Sequence, residues 1–337
     1  MGIAASWSWS SISDTMVIVM IVAYAVGILL FAIEAAYGRR TQLRRGAPVA
    51  ATVGAGGHHQ GDDSEVPGEA PDDIEVRLRE APQPVTAARN VAGTIGLVVV
   101  TLGLAANLLQ IVARGIAAER WPWGNMFEFV VAICLGAVAA FLYMAWRHQA
   151  RFLGVFVLVP VLLLLGVAAR WLYNEAGPLV PALDSYWIAI HVSAAIIATG
   201  AFMVAGSATI AYLLSYRAEI QRAAGELVSG AAAQLPSSEV LERLSHRLIV
   251  FAFPLWTFSI IAGAVWADEA WGRFWGWDPK EVWSFITWIV YAAYLHARAT
   301  AGWRGPRAAW VSLAGFACLL FNFFAVNYLF SGLHSYA

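Results

Sequence analysis

Long, uninterrupted apolar runs dominate the hydrophobic pattern of this 337-residue sequence. Several extend over about 18 residues or more, which is enough for a helix to cross a hydrocarbon core of about 30 Å. Because apolar residues follow one another and do not alternate with polar ones, the pattern favours helices over a β-barrel. We therefore predict an all-α, polytopic membrane protein with about eight transmembrane helices. The predicted spans are roughly 16–37, 91–113, 125–146, 152–172, 186–214, 248–267, 282–299 and 309–330.

Composition supports a membrane-embedded chain and narrows the possible functions. Hydrophobic residues make up 60% of the chain and charged residues 13%, far from the balance of a soluble domain, so membrane lipid is its expected surrounding. The net charge of −1 argues against a nucleic-acid partner, which would require a basic face. Cys134 and Cys318 lie inside apolar runs without a CxxC or CxxCH motif, which excludes a c-type cytochrome and a thiol oxidoreductase.

The positions of arginine and lysine predict how the helices are oriented. The connections that follow odd-numbered spans hold 16 of the 21 basic residues, and such basic loops stay in the cytoplasm. Both termini are therefore predicted to be extracytoplasmic. Arginine outnumbers lysine by 20 to 1 in a chain rich in Ala and Gly. This composition is typical of a bacterial gene, so we expect a multi-pass protein of the bacterial plasma (inner) membrane.

The chain divides into three segments. Residues 1–37 contain the first transmembrane helix, which we expect to be retained because the N-terminus lacks the basic region of a cleaved signal peptide. Residues 38–90 are rich in Gly, Pro, Asp and Glu and poor in large apolar residues, so they are predicted to form a disordered cytoplasmic linker. Residues 91–337 are predicted to form a multi-helix membrane domain with an outer Trp-rich loop at 266–283.

The Trp-rich stretch "WADEAWGRFWGWDPKEVWSF", residues 266–285, contains a predicted helix start. It holds five of the 16 tryptophans of the chain. In "WDPKE", Asp278 can cap a helix, Pro279 stands at its first position and Glu281 at its third, which together satisfy the free N–H groups of a first turn. The helix that follows enters the membrane, so the preceding tryptophans are predicted to lie at the outer edge of the bilayer.

An aromatic belt at the membrane interface explains one or two indoles at the end of a span. It does not explain this density, which is interleaved with Gly272 and Gly276, two residues predicted to let the backbone approach a flat molecule. A planar apolar ligand such as a porphyrin, or a protein-docking surface, fits such a set of rings. The tryptophans in question are Trp266, Trp271, Trp275, Trp277, Trp283 and Trp288.

Two histidines near the same face favour the porphyrin. His191 lies about two turns inside the outer end of the fifth span, and His334 lies just beyond the outer end of the eighth. Ionisable side chains in or beside a membrane span are expensive and usually functional. Neutral imidazoles from two elements are a standard axial pair for haem iron, so we predict that this pair ligates haem.

A third histidine and a glutamate extend the candidate site. His296 follows Pro279 by 17 residues, so at about 1.5 Å per residue it lies roughly 25 Å deeper and cannot bind the same iron. If His296 is a ligand, it belongs to a second, inner haem position, whose other ligand a second polypeptide would supply. Glu128, near the outer end of the third span, is a candidate to orient a ligand or contact a haem propionate, and equally a buried packing carboxyl.

The stretch "GAVWADEAWGRFWGWDPKEVWSFITWIVYAAYLHAR" resembles the WWD signature of haem-handling proteins. The sequence looks most like the CcsA/ResC family of System II cytochrome c biogenesis, in which some bacterial members are labelled CcsB. The resemblance runs from about residue 91 to the end and includes "NMFEF", "LSHRL" and the terminal "GLHSY". The insert 38–90 departs from the family pattern.

The resemblance implies a haem lyase subunit that acts with a ResB/Ccs1-type membrane protein. By matched position, His191 and His334 would ligate haem at the outer face, and His296 would ligate it inside the membrane with a partner's residue. Haem b would be both ligand and substrate, held by an aromatic shelf with its vinyl edge toward the CxxCH motif of apocytochrome c. The haem-presenting residues would be Trp271, Trp275, Trp277 and Asp278, and Trp266, Trp283 and Glu128 would also contact haem.

Two other functions remain open at this point. A haem transporter or chaperone would bind haem and hand it over without forming thioethers. A membrane b-type cytochrome would carry electrons and would need histidine pairs at fixed spacing on two helices, which this sequence lacks.

Overall fold

The computed structural model describes residues 8–37, 91–177, 185–228 and 230–334, and within these ranges it contains helices and no strand. The predicted linker 38–90 lies outside the described residues. A π-helical stretch, Ala168–Leu172, extends the helix Gly154–Val167. Another, Phe321–Ala325, joins the helices Pro306–Leu320 and Val326–Leu329. The α-helices are α1 (Trp9–Tyr37), α2 (Val91–Ala118), α3 (Met126–Arg147), α4 (Gly154–Val167), α5 (Tyr186–Ala223), α6 (Ser238–Trp271), α7 (Pro279–Thr300), α8 (Pro306–Leu320) and α9 (Val326–Leu329).

The all-α, polytopic prediction is confirmed. Seven helical stretches in the described part of the chain are long and apolar enough to cross a membrane. The remaining predicted span, 282–299, corresponds to α7, a helix of 22 residues that is long enough but is not among the seven. Its Trp, Tyr, Ser, Thr and His side chains make it less apolar than the other helices.

Helix α6 differs from its prediction. The sequence indicated a span at 248–267, but the structure forms one helix of 34 residues, from Ser238 to Trp271. Residues 267–270, "ADEA", lie between Trp266 and Trp271 and are rich in strong helix formers, so the helix continues past the apolar run. It ends at Gly272, whose φ of 68° lies in the left-handed region that is common at helix ends. Trp266 and Trp271 are therefore helical, and the loop begins at residue 272 and not at 266.

Helix α5 occupies the centre of the bundle, where it packs against α3, α6 and α8. Its middle is built from small residues, which let neighbouring backbones approach. Gly200 shows how close they come, because a Cβ placed there would lie 2.5 Å from the carbonyl carbon of Gly136 on α3. This packing fixes the depth of α5 and therefore the position of His191 on its first turns.

One end of the bundle collects the loops that carry the candidate site. The hydroxyl of Tyr173 donates to Asp14 Oδ1 at 3.0 Å, which brings the end of α4 to the start of α1. Asn327 Nδ2 contacts Met126 Sδ at 2.8 Å, which joins α9 to the start of α3. We call this end, formed by residues 118–126, 172–177, 271–279 and 329–334, the Trp-rich end. Its assignment to the extracytoplasmic face stays a prediction from the arginine distribution.

Candidate functional site

The predicted helix start in "WDPKE" is confirmed at the beginning of α7. Asp278 is the N-cap, its Oδ1 accepts from the backbone N–H of Lys280 at 3.0 Å, and Pro279 occupies the first helical position. Glu281 completes a capping box by accepting from the backbone N–H of Asp278 at 3.1 Å. This arrangement fixes the direction in which the Asp278 carboxylate leaves the helix.

The same carboxylate holds the last described residues of the chain. Oδ2 accepts from the backbone N–H of Leu333 at 2.7 Å, and Oδ1 lies 2.8 Å from Nδ1 of His334. Burial raises the pKa of Asp278, but the hydrogen bonds and charge of His334 and the backbone N–H donors outweigh it and lower the pKa to about 2. The carboxylate is therefore ionised at neutral pH and can orient the imidazole.

His191 is held from the opposite side by α6. Its Nδ1 donates to the carbonyl oxygen of Ser259 at 2.7 Å. Gly263, one turn further along α6, leaves room for the ring, because a Cβ there would lie 2.7 Å from both Cε1 and Nδ1 of His191. The imidazole stacks on Trp266 with an interplanar angle of 8° and 6.1 Å between ring centroids. The ring of His191 is thus fixed in position and orientation.

Trp266 lies between the two histidines. Its ring centroid is 5.8 Å from that of His334, close to its distance from His191, and 4.7 Å from that of Trp271. Trp271 in turn lies 5.0 Å from His334, edge to face. We call His191, Trp266, Trp271 and His334 the histidine–tryptophan cluster. The structure thus brings together two of the three predicted histidine ligands.

Both imidazoles use Nδ1 for their hydrogen bonds, and this determines which nitrogen can bind a metal. A backbone carbonyl oxygen only accepts, so Nδ1 of His191 carries the proton, and the ionised carboxylate of Asp278 imposes the same on His334. In the neutral form of either ring, Nε2 then carries the free lone pair that can bind a metal. Imidazoles oriented in this way through one nitrogen are typical of metal-ligating histidines.

One cavity at the Trp-rich end is lined by four of the nine residues predicted to bind haem. Together with the open solvent at its mouth, it comprises about 1090 Å³ of space free of protein atoms. His191, His334, Trp266 and Trp275 line it, together with apolar side chains of α3, α5 and α6. The wall combines indoles, aliphatic side chains and two imidazoles, which suits a flat, apolar ligand with a metal at its centre.

The other tryptophans of the stretch surround the cavity without lining it. Trp271 packs on His334, whereas Trp283 packs on Phe321 with ring centroids 4.1 Å apart. Trp277 has a φ of 58°, is 69% exposed and meets Trp275 edge to face at 5.9 Å. An exposed indole beside the cavity leaves a surface for another molecule.

Gly272 and Gly276 were predicted to let the backbone approach a flat ligand, but the structure gives each of them another role. Gly272 ends α6, and a Cβ at Gly276 would lie 2.0 Å from Cζ of Arg273. Nη1 of Arg273 donates to Glu281 at 2.8 Å, and its guanidinium lies over the ring of Trp271. The glycines therefore shape the loop around Arg273, and neither lines the cavity.

Glu128 does not line the cavity but lies behind its wall at Gly124, in a buried ion cluster. Oε1 accepts from Arg114 Nε at 2.8 Å and from Arg120 Nη2 at 3.0 Å. Oε2 accepts from Arg120 Nη1 at 2.9 Å and from the backbone N–H of Gly124 at 2.6 Å. Both oxygens are occupied, which favours the packing alternative for this carboxyl.

His296 lies on an exposed face of α7, outside the cavity that His191 and His334 line. At about 1.5 Å per residue, the helix places it roughly 25 Å from Pro279. Nearby, Arg298 of the same helix pairs with Glu242 of α6 at 2.6 Å. His296 is therefore separate from the pair at the Trp-rich end and accessible to another chain.

Several polar cavity residues were not predicted. Lys280 is the only lysine of the chain, a signal in the sequence that could have identified it. The others are single polar or aromatic residues in apolar surroundings, and only packing brings them to the cavity. They are Trp123, Met126, Asn322 and Asn327.

The fold and the site define a class of protein: a multi-pass helical membrane protein with an aromatic cavity that two oriented histidines line. Comparison with known families agrees with this class. Residues 123–334 match the family model described as "Cytochrome C assembly protein". The chain belongs to the cytochrome c assembly family and, within it, to the CcsA proteins.

Three relatives illustrate the similarity, and each is named "Cytochrome c biogenesis protein CcsA". The protein from Gloeobacter violaceus is 36% identical over 272 residues, which cover 66% of this chain and 80% of that protein. The protein from Guillardia theta is 38% identical over 239 residues, covering 66% and 79%. The protein from Synechococcus elongatus is 36% identical over 284 residues, covering 72% and 86%.

Proposed function

We propose that this protein, within the role in cytochrome c maturation that its family indicates, delivers haem b and attaches it covalently to the CxxCH motif of an apocytochrome c. The observation that carries the proposal is the pair of imidazoles, His191 and His334, each oriented through Nδ1 and each lining the same aromatic cavity. Family membership adds haem handling as the chemistry expected of such a pair.

The residues present fit a haem. Two imidazoles alone are too few for a bare metal site, and the described residues contain no group of three or more His, Cys, Asp or Glu that could hold one. Iron in a porphyrin needs only two axial ligands from the protein.

In this mechanism the chain positions the reactants. Haem supplies iron and two vinyl groups, across which the substrate thiols add, sulfur to one carbon and hydrogen to the other. His191 and His334 hold the iron, while Trp266 and Trp275 exclude water and fix the plane of the ring. The exposed indole of Trp277 offers a contact for the arriving CxxCH segment. The cavity supplies orientation, and the bond-forming groups belong to haem and substrate.

His296 fits a second, inner haem position that a ResB/Ccs1-type partner completes. Its exposure on α7 is what a ligand shared with another chain requires. Haem would then pass from the inner position to the Trp-rich end, which the arginine distribution places outside the bacterial plasma membrane.

Reconstitution tests attachment directly. The protein, with a ResB/Ccs1-type partner, haem and a reductant, is expected to convert a CxxCH peptide to a covalent haem adduct, detected by mass spectrometry after denaturation. A peptide with both cysteines replaced by serine is the control and is expected to give no adduct. Haem that reaches the CxxCH peptide but stays extractable would support a transporter or chaperone and contradict attachment.

Asp278→Asn is expected to reduce haem affinity by about 10–100-fold, the usual effect of losing a partner of a metal-ligating histidine. Asparagine still caps α7, so thermal stability is expected to change little. The amide lacks the charge that orients His334, so the haem midpoint potential is expected to rise. Haem titration and spectroelectrochemistry measure the two effects.

Glu269→Gln is the matched control for this substitution. Glu269 is an exposed carboxylate at the same end that accepts from the hydroxyl of Ser185 at 2.7 Å. It is expected to keep wild-type affinity and potential. Unchanged affinity and potential in Asp278→Asn would contradict the role given to the carboxylate.

A further inference from the structure

The cavity of the proposed haem site contains a lysine, Lys280, that has no part in the arrangement of the two histidines. Lys280 lines the cavity on the first turn of α7. Its ammonium donates to Oδ1 of Asn327 at 2.8 Å and lies 5.4 Å from the ring centroid of Phe323. Among the described residues, no carboxylate forms an ion pair with it. Glu281, the acid that lines the same cavity, is paired with Arg273.

Lys280 therefore places an amino group without an ion-pair partner in a largely apolar cavity, where burial lowers its pKa to about 7 although the nearby Asp278 carboxylate raises it. Its charged form is costly to bury unless an opposite charge compensates it. The nearby carboxylates are already engaged, Glu281 with Arg273 and Asp278 with the start of α7 and His334. A carboxylate of the ligand would supply a further negative charge next to the ammonium.

Two other cavity residues have buried polar atoms that lack hydrogen-bond partners. Nε1 of Trp123 and Oδ1 of Asn322 are both unsatisfied, and Asn322 is only 2% exposed. Indole N–H is a donor only, and an Asn amide can turn to present either its oxygen or its two N–H groups. Unsatisfied buried groups are rare in native proteins and call for a partner such as a ligand.

Asn327 contacts Lys280 on one side and, on the other, the start of α3, which follows Trp123 in the chain. It accepts from Lys280, and its Nδ2 contacts Met126 Sδ at 2.8 Å, three residues along the chain from Trp123. Asn322 precedes Asn327 by five residues across the π-helical stretch, so both face the cavity. Lys280, Trp123 and Asn322 thus line the same cavity, with the indole N–H of Trp123 as an unpaired donor and Oδ1 of Asn322 as an unpaired amide oxygen.

We propose that Lys280, Trp123 and Asn322 form a carboxylate subsite that binds a propionate of the porphyrin. The proposal rests on the proposed function and adds which edge of the ligand the protein recognises. With the carboxylates held by this subsite, the opposite, vinyl-bearing edge of the ring faces away from Lys280. The subsite would thereby help to set which edge is offered to the substrate thiols.

The test compares haem with its dimethyl ester, in which both propionates are uncharged. Wild-type protein in one detergent is titrated with each, and the preference is the ratio of the two dissociation constants. Comparing this ratio between variants cancels the different partition of the two porphyrins into micelles. Wild type is expected to prefer the free acid by about tenfold, the usual size of a hydrogen bond to a charged group.

Lys280→Met is expected to abolish this preference, with about tenfold weaker binding of haem and binding of the ester within about twofold of wild type. Lys280→Arg keeps the charge and is expected to keep the preference. Trp123→Phe removes one N–H and retains the ring, so it tests the subsite even if Lys280→Met does not fold. It is expected to lower the preference by about threefold.

The outcomes separate this subsite from the haem site itself. Equal binding of acid and ester by wild type, or an undiminished preference in Lys280→Met or Trp123→Phe, would overturn the carboxylate subsite alone. If wild type bound neither porphyrin with the absorption spectrum of bis-histidine ligation, the proposed haem site would also be wrong.

Discussion

Purified His191→Gly protein is expected to retain at least about tenfold less haem than wild type at the Trp-rich end, and so is His334→Gly. Each substitution removes one of the two imidazoles that line the cavity and leaves space of the same shape. Free imidazole added to the membranes before purification should occupy that space and restore haem. Absorption spectra of the purified proteins, with and without imidazole, measure both the loss and the recovery.

His296→Gly is the control for this experiment. The residue is a histidine of the same domain, but it is exposed on α7 and lies outside the cavity. When haem is added to the purified protein, this variant is expected to bind it at the Trp-rich end like wild type, because delivery through the inner position is then bypassed. Wild-type spectra in both His191→Gly and His334→Gly would contradict the ligand assignment, and equal losses in all three variants would indicate a general effect on folding.

Local patterns made part of this site predictable. The helix start at Asp278 and Glu281 needs only residues adjacent in sequence, so a capping box can be read directly from the chain. The two histidines were identified because imidazoles are rare in or beside membrane spans. Their encounter around Trp266 agrees with the predicted order of the spans, because an even number of crossings returns the chain to the same side.

The parts of the site that the sequence analysis missed depend on helix propensity beyond the apolar runs and on tertiary contacts. The extension of α6 to Trp271 turned part of a predicted loop into helix, because helix propensity continues past the apolar run. Gly263 has no motif, yet its missing Cβ makes the space for His191. Of the two glycines predicted to admit a ligand, Gly276 instead accommodates Arg273 and Gly272 ends α6. Such roles depend on which side chains the fold brings opposite one another.

His334 and His296 differ in how the rest of the protein supports their side chains. His334 depends on Asp278, a residue 56 positions earlier that the sequence analysis had assigned to the haem-presenting group. The structure gives that aspartate two tasks, the cap of α7 and the orientation of an imidazole. His296 has no comparable support within the described residues, which is consistent with a ligand that a second chain completes.

Glu128→Gln is expected to destabilise the protein by about 3–5 kcal/mol, the usual cost of breaking a buried ion pair by removing one partner. The side chain of Glu128 is 1% exposed and that of Arg114 3%, so the guanidinium groups of Arg114 and Arg120 would lose the one carboxylate that pairs with them among the described residues. Their further bonds to the carbonyl oxygens of Asn174 and Gly177 would then be strained by mutual repulsion. Thermal unfolding in detergent, followed by size-exclusion chromatography, measures the loss.

Glu239→Gln provides the matched comparison, because Glu239 pairs with Arg243 on an exposed turn where an ion pair contributes only about 0–1 kcal/mol. It should unfold like wild type. Haem bound per folded molecule then separates the two roles considered for Glu128. A packing carboxyl predicts normal haem content in the Glu128→Gln molecules that remain folded, since the cluster lies outside the cavity. Reduced haem content without any loss of stability would instead place Glu128 in contact with the ligand.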